Sequence, residues 1–400
     1  MCEALNNANS RPIESETIGR IGLVFLTSQG ENPRRYLKIG FSGDFNTGTS
    51  LHVRDPSRTH FKLRFMNVGH GDCAILETTL TQRVGFIDLG SLNPSRFPLA
   101  IQVLSDAAKG REIDLVLSHY HWDHYSFLGS IGNPPLNRLI VPAIPLSAAT
   151  ESISKFFALA DIAGYGYYRL LPKALMSASE VIAAHRAEPL NLLDLRCEVL
   201  WPDYSQSIPV IHSRVTKLHE KLMPIFAEAE KSLSIDDRQY FDKLVREISI
   251  SLSEGRHYRD TTKKVSSRRS VDKLIPFLDK IEHHIKEIAD YFSLAFKLDV
   301  ENDESFGLFL GDCPSQVLGI LAPPGGPFVL VKGAHHGTRY GNCLDPVQTI
   351  AEVFSRGPRT KRIHDGYLHC VEFQLFHSTD LHGDLVVSCN DPPATQVTLP

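Results

Sequence analysis

The segment Ser118-His119-Tyr120-His121-Trp122-Asp123-His124 places three imidazoles and one carboxylate within six residues. Imidazole and carboxylate are the donors that zinc, manganese and iron accept. The segment follows the apolar run 113–117, so its side chains leave a strand into a loop, where they can converge outside the core. Two other segments repeat this arrangement. Residues 306–312 form an apolar run ending in Gly-Asp312, and residues 328–337 form one ending in His335-His336-Gly337, with a glycine that permits close backbone approach. Gly-Asp alone is a common turn and a histidine pair alone a common surface feature. Three strand ends bearing His and Asp in one domain point instead to a shared metal site. A pair of divalent ions lowers the pKa of a water until hydroxide is available near neutral pH, to attack phosphorus or a carbonyl carbon. No Ser/His/Asp or Cys/His nucleophile pattern competes, since Cys73 and Cys313 lack a spaced basic partner.

These segments need a scaffold, and the surrounding pattern supplies one. Residues 63–68, 73–77 and 84–89 read as adjacent strands with tight connections, 98–109 as a helix, and 113–117 and 139–141 as buried strands. Strand-like sequence returns at 293–298, 306–310, 328–332 and 385–388. Strands alternating with helices predict an α/β layered domain. Between 205 and 290 the periodicity is helical. Val215, Leu218, Leu222, Ile225, Phe226 and Ala229 form one stripe, and Phe241, Leu244, Val245, Ile248 and Leu252 a second, with Asp236 as its expected cap. Leu274, Leu278, Ile281, Ile285 and Ile288 form a near-heptad seam, which fits either a helical arm packed on its own domain or a dimerising coiled coil. The expected organisation is an N-terminal extension with short strands at 1–60, the first half of the domain at 61–204, a helical insertion at 205–290 and the second half at 291–400.

Composition narrows the class. Among 400 residues, 42% hydrophobic and 22% charged fit a folded chain and exclude an intrinsically disordered one. Forty-two Lys+Arg against 46 Asp+Glu give a net charge of −4, so no global basic field advertises nucleic-acid binding. The apolar runs fall short of a membrane span, and the first residues lack a secretory pattern. Seven scattered cysteines without a CxxC pair predict reduced thiols and a cytoplasmic location.

Seven landmarks occur in order: VGHGDCAIL (68–76), FIDLG (86–90), LSHYHWDH (117–124), VLWP (199–202), SLAFKL (293–298), FLGD (309–312) and AHHGT (334–338). With them the chain resembles the metallo-β-lactamase-fold hydrolases, and within these the soluble hydrolase domain of ComEC-type DNA-uptake competence proteins. The resemblance implies a four-layer αββα sandwich carrying an α-helical insertion, and two divalent ions, zinc or manganese, at one edge of the sheets. It implies that His119 and His121 hold one ion, that Asp123 and His124 hold the second, and that Asp312 bridges them. His335 or His336 fills a remaining position. It further implies catalytic roles for Asp123, His336 and Asp72, and outer support from Asp88 and His70.

The chain departs from the wider family in two places. It has no single histidine between the HxHxDH run and Gly-Asp312 that would serve as a further ligand, because His212, His219, His257, His283 and His284 fall in the helical segment and read as surface residues. The competence-type proteins lack that ligand too. Residues 385–396 match the strand before a late Tyr-Gly-His-Pro segment but contain no histidine, which leaves His364, His369, His377 and His382 as substitutes.

The implied activity is metal-dependent hydrolysis of a phosphodiester in DNA or RNA. Lys263, Lys264, Arg268 and Arg269, within a basic stretch interleaved with His257 and Tyr258, are candidate phosphate contacts, or else a solvated loop. Two other classes stay open: a lactone or thioester hydrolase, and an effector subunit gated by a protein partner docked on the helical insertion.

Overall fold

A computed structural model describes residues 21–26, 36–41, 61–78, 81–132, 134, 136–186, 189–205, 209–257, 272–300, 304–322, 324–325, 328–357, 362–369, 371–390 and 394–398. Its strands form two mixed sheets, of 11 and 7 strands, that face each other. The centre of the larger sheet runs Phe61–Phe65, Cys73–Thr78, Val84–Leu89, Ile113–Val116, Leu136–Pro142 and Glu180–Ala184 in spatial order. From Val84–Leu89 onward these strands are parallel, whereas the first three pair antiparallel. In the smaller sheet, Glu304–Phe309, Phe328–Lys332, Thr349–Phe354 and Val371–Ser378 are parallel neighbours, and Ala295–Val300 is antiparallel to Glu304–Phe309.

The burial pattern explains these placements. In Phe61–Phe65 the aromatic and leucine side chains are buried while Lys62 is exposed, as expected of a strand with one covered face. In Val84–Leu89 all six residues are buried, as a parallel strand covered on both faces requires. Phe61, Leu63, Phe65, Leu76, Ile87 and Val116 meet Val199, Phe296, Leu298, Phe309, Leu330 and Val353 between the sheets. The Phe296 and Phe309 rings stack at 4.8 Å, and Phe61 meets Phe306 edge-on at 4.6 Å. Each such side chain contributes about 1.5–3 kcal/mol by leaving water. On its other face the larger sheet lays Phe86, Leu115 and Leu139 against helix residues Leu104, Phe156 and Phe157. The architecture is thus a mixed α/β sandwich.

Two short strands of the N-terminal extension, Ile21–Leu26 and Tyr36–Phe41, extend the larger sheet beyond Ala394–Thr398. Helices Pro209–Lys231, Ile235–Ser253 and Ile275–Asp290 lie between Leu195–Trp201 and Ala295–Val300, which pair with each other. The chain therefore leaves and re-enters the smaller sheet at adjacent positions. The three helices pack around Ser147–Ala163, which is buried along most of its length. Leu274, Leu278, Ile281, Ile285 and Ile288 are all buried in this packing, so the near-heptad seam has no face left for a second copy. The expected cap also moves. Ser234, not Asp236, caps Ile235–Ser253, its hydroxyl accepting from the Asp237 amide, and Asp236 falls in the first turn, where a carboxylate suits the helix dipole. No helix among the described residues is long and apolar enough to cross a membrane.

One buried group sets a pH dependence. Glu352, in Thr349–Phe354, is fully buried, and among the described residues neither of its carboxylate oxygens has a hydrogen-bond partner. Burial pushes its carboxyl from 4.5 up to about 8. Because the folded value lies above the unfolded one, the neutral acid's contribution is complete below pH 4.5 and is lost as pH rises through 8, at about 1.4 kcal/mol per unit. Glu352→Gln is expected to flatten the decline of unfolding free energy between those limits; superimposable pH profiles for the two proteins would refute it.

Candidate metal centre

Parallel strands in both sheets end at one edge, the position where α/β proteins place their ligands. Val84–Leu89 leads to Gly90, Ile113–Val116 to the histidine run, Glu304–Phe309 to Gly311-Asp312 and Phe328–Lys332 to His335-His336. The glycine of the FIDLG segment is dictated by contact. A Cβ on Gly90 would lie 2.2 Å from the Asp123 carbonyl oxygen and 2.5 Å from the His124 nitrogen, so the histidine loop rests directly on its backbone. Asp88, His335 and His336 hold positive φ angles of 55°, 47° and 58°, a region that side chains other than glycine rarely occupy.

The side chains then converge. His119, His121, Asp290 and Asp312 form one group whose donor atoms lie within 4.8 Å of one another; Asp72, His124, Asp312 and His336 form a second; His70, Asp123 and His336 form a third. Asp312 belongs to both of the first two groups. Its Oδ2 lies 3.7 Å from His119 Nε2 and 3.8 Å from His124 Nε2. His124 Nε2 and His336 Nε2 each lie 3.9 Å from Asp123 Oδ2. His121 Nε2 lies 3.5 Å from Asp290 Oδ1 and 3.1 Å from the Lys286 carbonyl oxygen.

Most of these separations exceed a hydrogen bond. Two donors held about 2.1 Å from one ion at the tetrahedral angle stand roughly 3.4 Å apart, so the spacing suits a shared cation. The polar inventory agrees. Both ring nitrogens of His119, His124 Nε2, Asp290 Oδ1, Asp312 Oδ1, His335 Nδ1 and His336 Nδ1 are buried and have no hydrogen-bond partner among the described residues. Unsatisfied buried polar atoms are costly and rare, and cations placed within these groups would satisfy several of them. These buried His and Asp groups could hold metal ions.

The outer contacts orient the donors. Asp88 accepts from the Ser118 amide through Oδ1, and its Oδ2 lies 3.0 Å from His124 Nδ1, which turns His124 Nε2 toward Asp312 and Asp123. Burial opposes a charge on His124, but Asp88, Asp312 and Asp123 outweigh it and raise the ring's pKa well above its ordinary value. Burial would likewise raise Asp312, yet His335, His119, His124 and His336 hold it well below the usual carboxylate range. Burial, with His124 and His121 nearby, keeps His119 neutral. Asp72 forms a 2.7 Å ion pair with the buried Lys332, which, with His336 and His124, outweighs burial and lowers its carboxyl to about 2.

Several expectations can now be placed. His119, His121, Asp123, His124, Asp312, His336, Asp72, Asp88 and His70 all come together, the His70 ring 4.6 Å from His336. Of the adjacent histidines, His336 is buried inside the second and third groups. His335 belongs to none of the three and lies at the rim, with Nδ1 3.2 Å from Asp312 Oδ2. His364 is exposed and stacks on Tyr340, and the buried His377 places Nε2 2.9 Å from the Gly383 carbonyl, so neither substitutes for a ligand. The side chains of His369 and His382 lie outside the described residues, as do Lys263, Lys264, Arg268 and Arg269. Burial pushes the Cys73 and Cys313 thiols well up, which removes them as nucleophiles. Asp290 and Lys332 were not anticipated. No protein-family model matches the chain, and no curated protein matches it in sequence.

Proposed function

We propose that this chain is a metal-dependent hydrolase of the metallo-β-lactamase fold, related to the hydrolase domain of ComEC-type proteins, that cleaves phosphodiesters in nucleic acid. The observation that carries this reading is the sharing of Asp312 between two groups of His and Asp side chains whose donor atoms converge, several of those atoms being buried without a hydrogen-bond partner among the described residues. The packed sheets with helices against the outer face of the larger one account for three layers of the αββα form of that fold. The sequence landmarks support the subfamily, and through it the substrate.

His119 and His121 would hold one ion and Asp123, His124 and His336 the other, with Asp312 common to both. The ions would supply Lewis acidity and an acidified water. The protein's part is positional. Asp88 fixes the His124 ring, and Lys332 keeps Asp72 ionised beside His336.

The test is cleavage of bis(p-nitrophenyl) phosphate and of single- and double-stranded DNA by the purified chain with manganese or zinc. Chelator-sensitive turnover is expected, and Asp123→Ala should lose about a thousandfold, the several kcal/mol a metal contributes to the transition state. An Asp123→Ala protein as fast as wild type would remove the hydrolase assignment, and turnover of lactones without any of phosphodiesters would replace the substrate class.

A further inference from the structure

The first group contains a residue that the resemblance does not supply. His119 and His121 share their pocket with Asp290, the last residue of helix Ile275–Asp290. The placement follows from topology. Ala295–Val300 runs antiparallel to Glu304–Phe309, so residues just before the first strand lie beside those just after the second. Residue 290 is therefore brought to the edge that carries Asp312. The connecting backbone is pinned there, because the Leu294 amide donates to the Ser118 carbonyl at 2.6 Å and the Ser293 carbonyl accepts from Cys313 Sγ.

The two oxygens of Asp290 have different neighbours. Oδ2 receives Arg339 Nη2 at 2.6 Å. Oδ1 is buried with no hydrogen-bond partner among the described residues, 3.5 Å from His121 Nε2 and 3.9 Å from His119 Nε2. Arg339 is itself fixed. Its Nη1 donates to the Asp312 carbonyl at 2.6 Å, and its own carbonyl accepts from the Tyr367 hydroxyl, which in turn accepts from the Ala334 amide. The Arg339 guanidinium thus ties the end of the helix to the backbone of Asp312, while its carbonyl is linked through Tyr367 to the His335-His336 loop. The helix dipole acts in the same sense. The C-terminal end of a helix carries partial negative charge, and one turn before that end the Lys286 carbonyl oxygen lies 3.1 Å from His121 Nε2.

We propose that Asp290 is a further ligand of the His119–His121 ion, and that Arg339 is the positioning residue that leaves only Oδ1 free to coordinate. The inference rests on the reading that the cluster holds metal. It makes the helical segment part of the site rather than an appendage, because its last residue closes one coordination shell.

The test uses the full chain and zinc or cobalt(II) as the probe, with stoichiometry and affinity from titration against a competing chelator. Wild type is expected to bind two ions and Asp290→Ala one, with the second ion's affinity little changed. Asp290→His should restore two ions and shift the cobalt absorption bands, because an imidazole nitrogen replaces a carboxylate oxygen; this readout separates coordination from a folding defect. Arg339→Met should weaken the first ion by about 10–100-fold, as loss of an outer-shell partner does. Two ions of unchanged affinity in both Asp290→Ala and Asp290→His, with identical cobalt spectra, would overturn the proposal while leaving the metal cluster intact. A wild-type chain that binds no ion would overturn the cluster reading itself, and this proposal with it.

Discussion

Asp312→Ala is expected to abolish binding at both metal positions together, whereas loss of His336 should empty only the second. The asymmetry follows from geometry: Asp312 Oδ2 lies 3.2–3.8 Å from ring nitrogens of His335, His119 and His124, on both sides of the centre. Removing the carboxylate leaves several imidazoles crowded around an uncompensated pair of ions. Affinity at each position should fall by more than the 10–100-fold typical of an outer-shell loss, and phosphodiester turnover to below about a thousandth. Equilibrium dialysis with zinc or manganese, followed by elemental analysis, checks this. Retention of one tight ion by Asp312→Ala would show that the carboxylate is not shared.

Gly90→Ala carries the second large effect, although the residue bears no functional group. The added methyl would meet the Asp123 carbonyl carbon at 2.3 Å as well as its oxygen at 2.2 Å, and neither is the movable tip of a side chain. Contact distances of about 3.5 Å require the histidine loop to retreat by more than an ångström. Overpacking of this kind typically costs about 1–3 kcal/mol, and here the strain falls on the peptide joining two candidate ligands. Chemical denaturation should show the stability loss, and metal titration a weakened position at Asp123 and His124. A variant with wild-type stability and affinity would mean that the loop does not rest on Gly90.

Much of this was legible in the sequence, for identifiable reasons. The strands 84–89 and 328–332 were readable because continuous apolar runs bounded by Gly and polar residues have few other uses. The histidine run, Gly-Asp312 and the histidine pair were readable because they sit immediately after such runs. Helix Ser147–Ala163 drew no notice: it is buried on most sides, with Thr150, Ser152 and Ser154 among its buried residues, and so shows no clean apolar stripe. The heptad-like spacing after Leu274 was real, but spacing does not say whether the partner is another chain or Ser147–Ala163. Asp290 escaped notice because it precedes a strand instead of following one; only the antiparallel pairing of 295–300 with 304–309 brings it to the site. The division of roles between His335 and His336 was equally hidden, since it depends on two successive left-handed backbone conformations that no spacing rule encodes.

The most direct measurement is anomalous X-ray scattering at the metal edge from crystals of the full chain grown with manganese or zinc. Two peaks are predicted, one among His119, His121, Asp290 and Asp312 and one among Asp123, His124, Asp312 and His336, close enough for a single carboxylate to serve both. Peaks confined to other parts of the molecule, with these side chains unoccupied at saturating metal, would contradict a metal centre at this sheet edge.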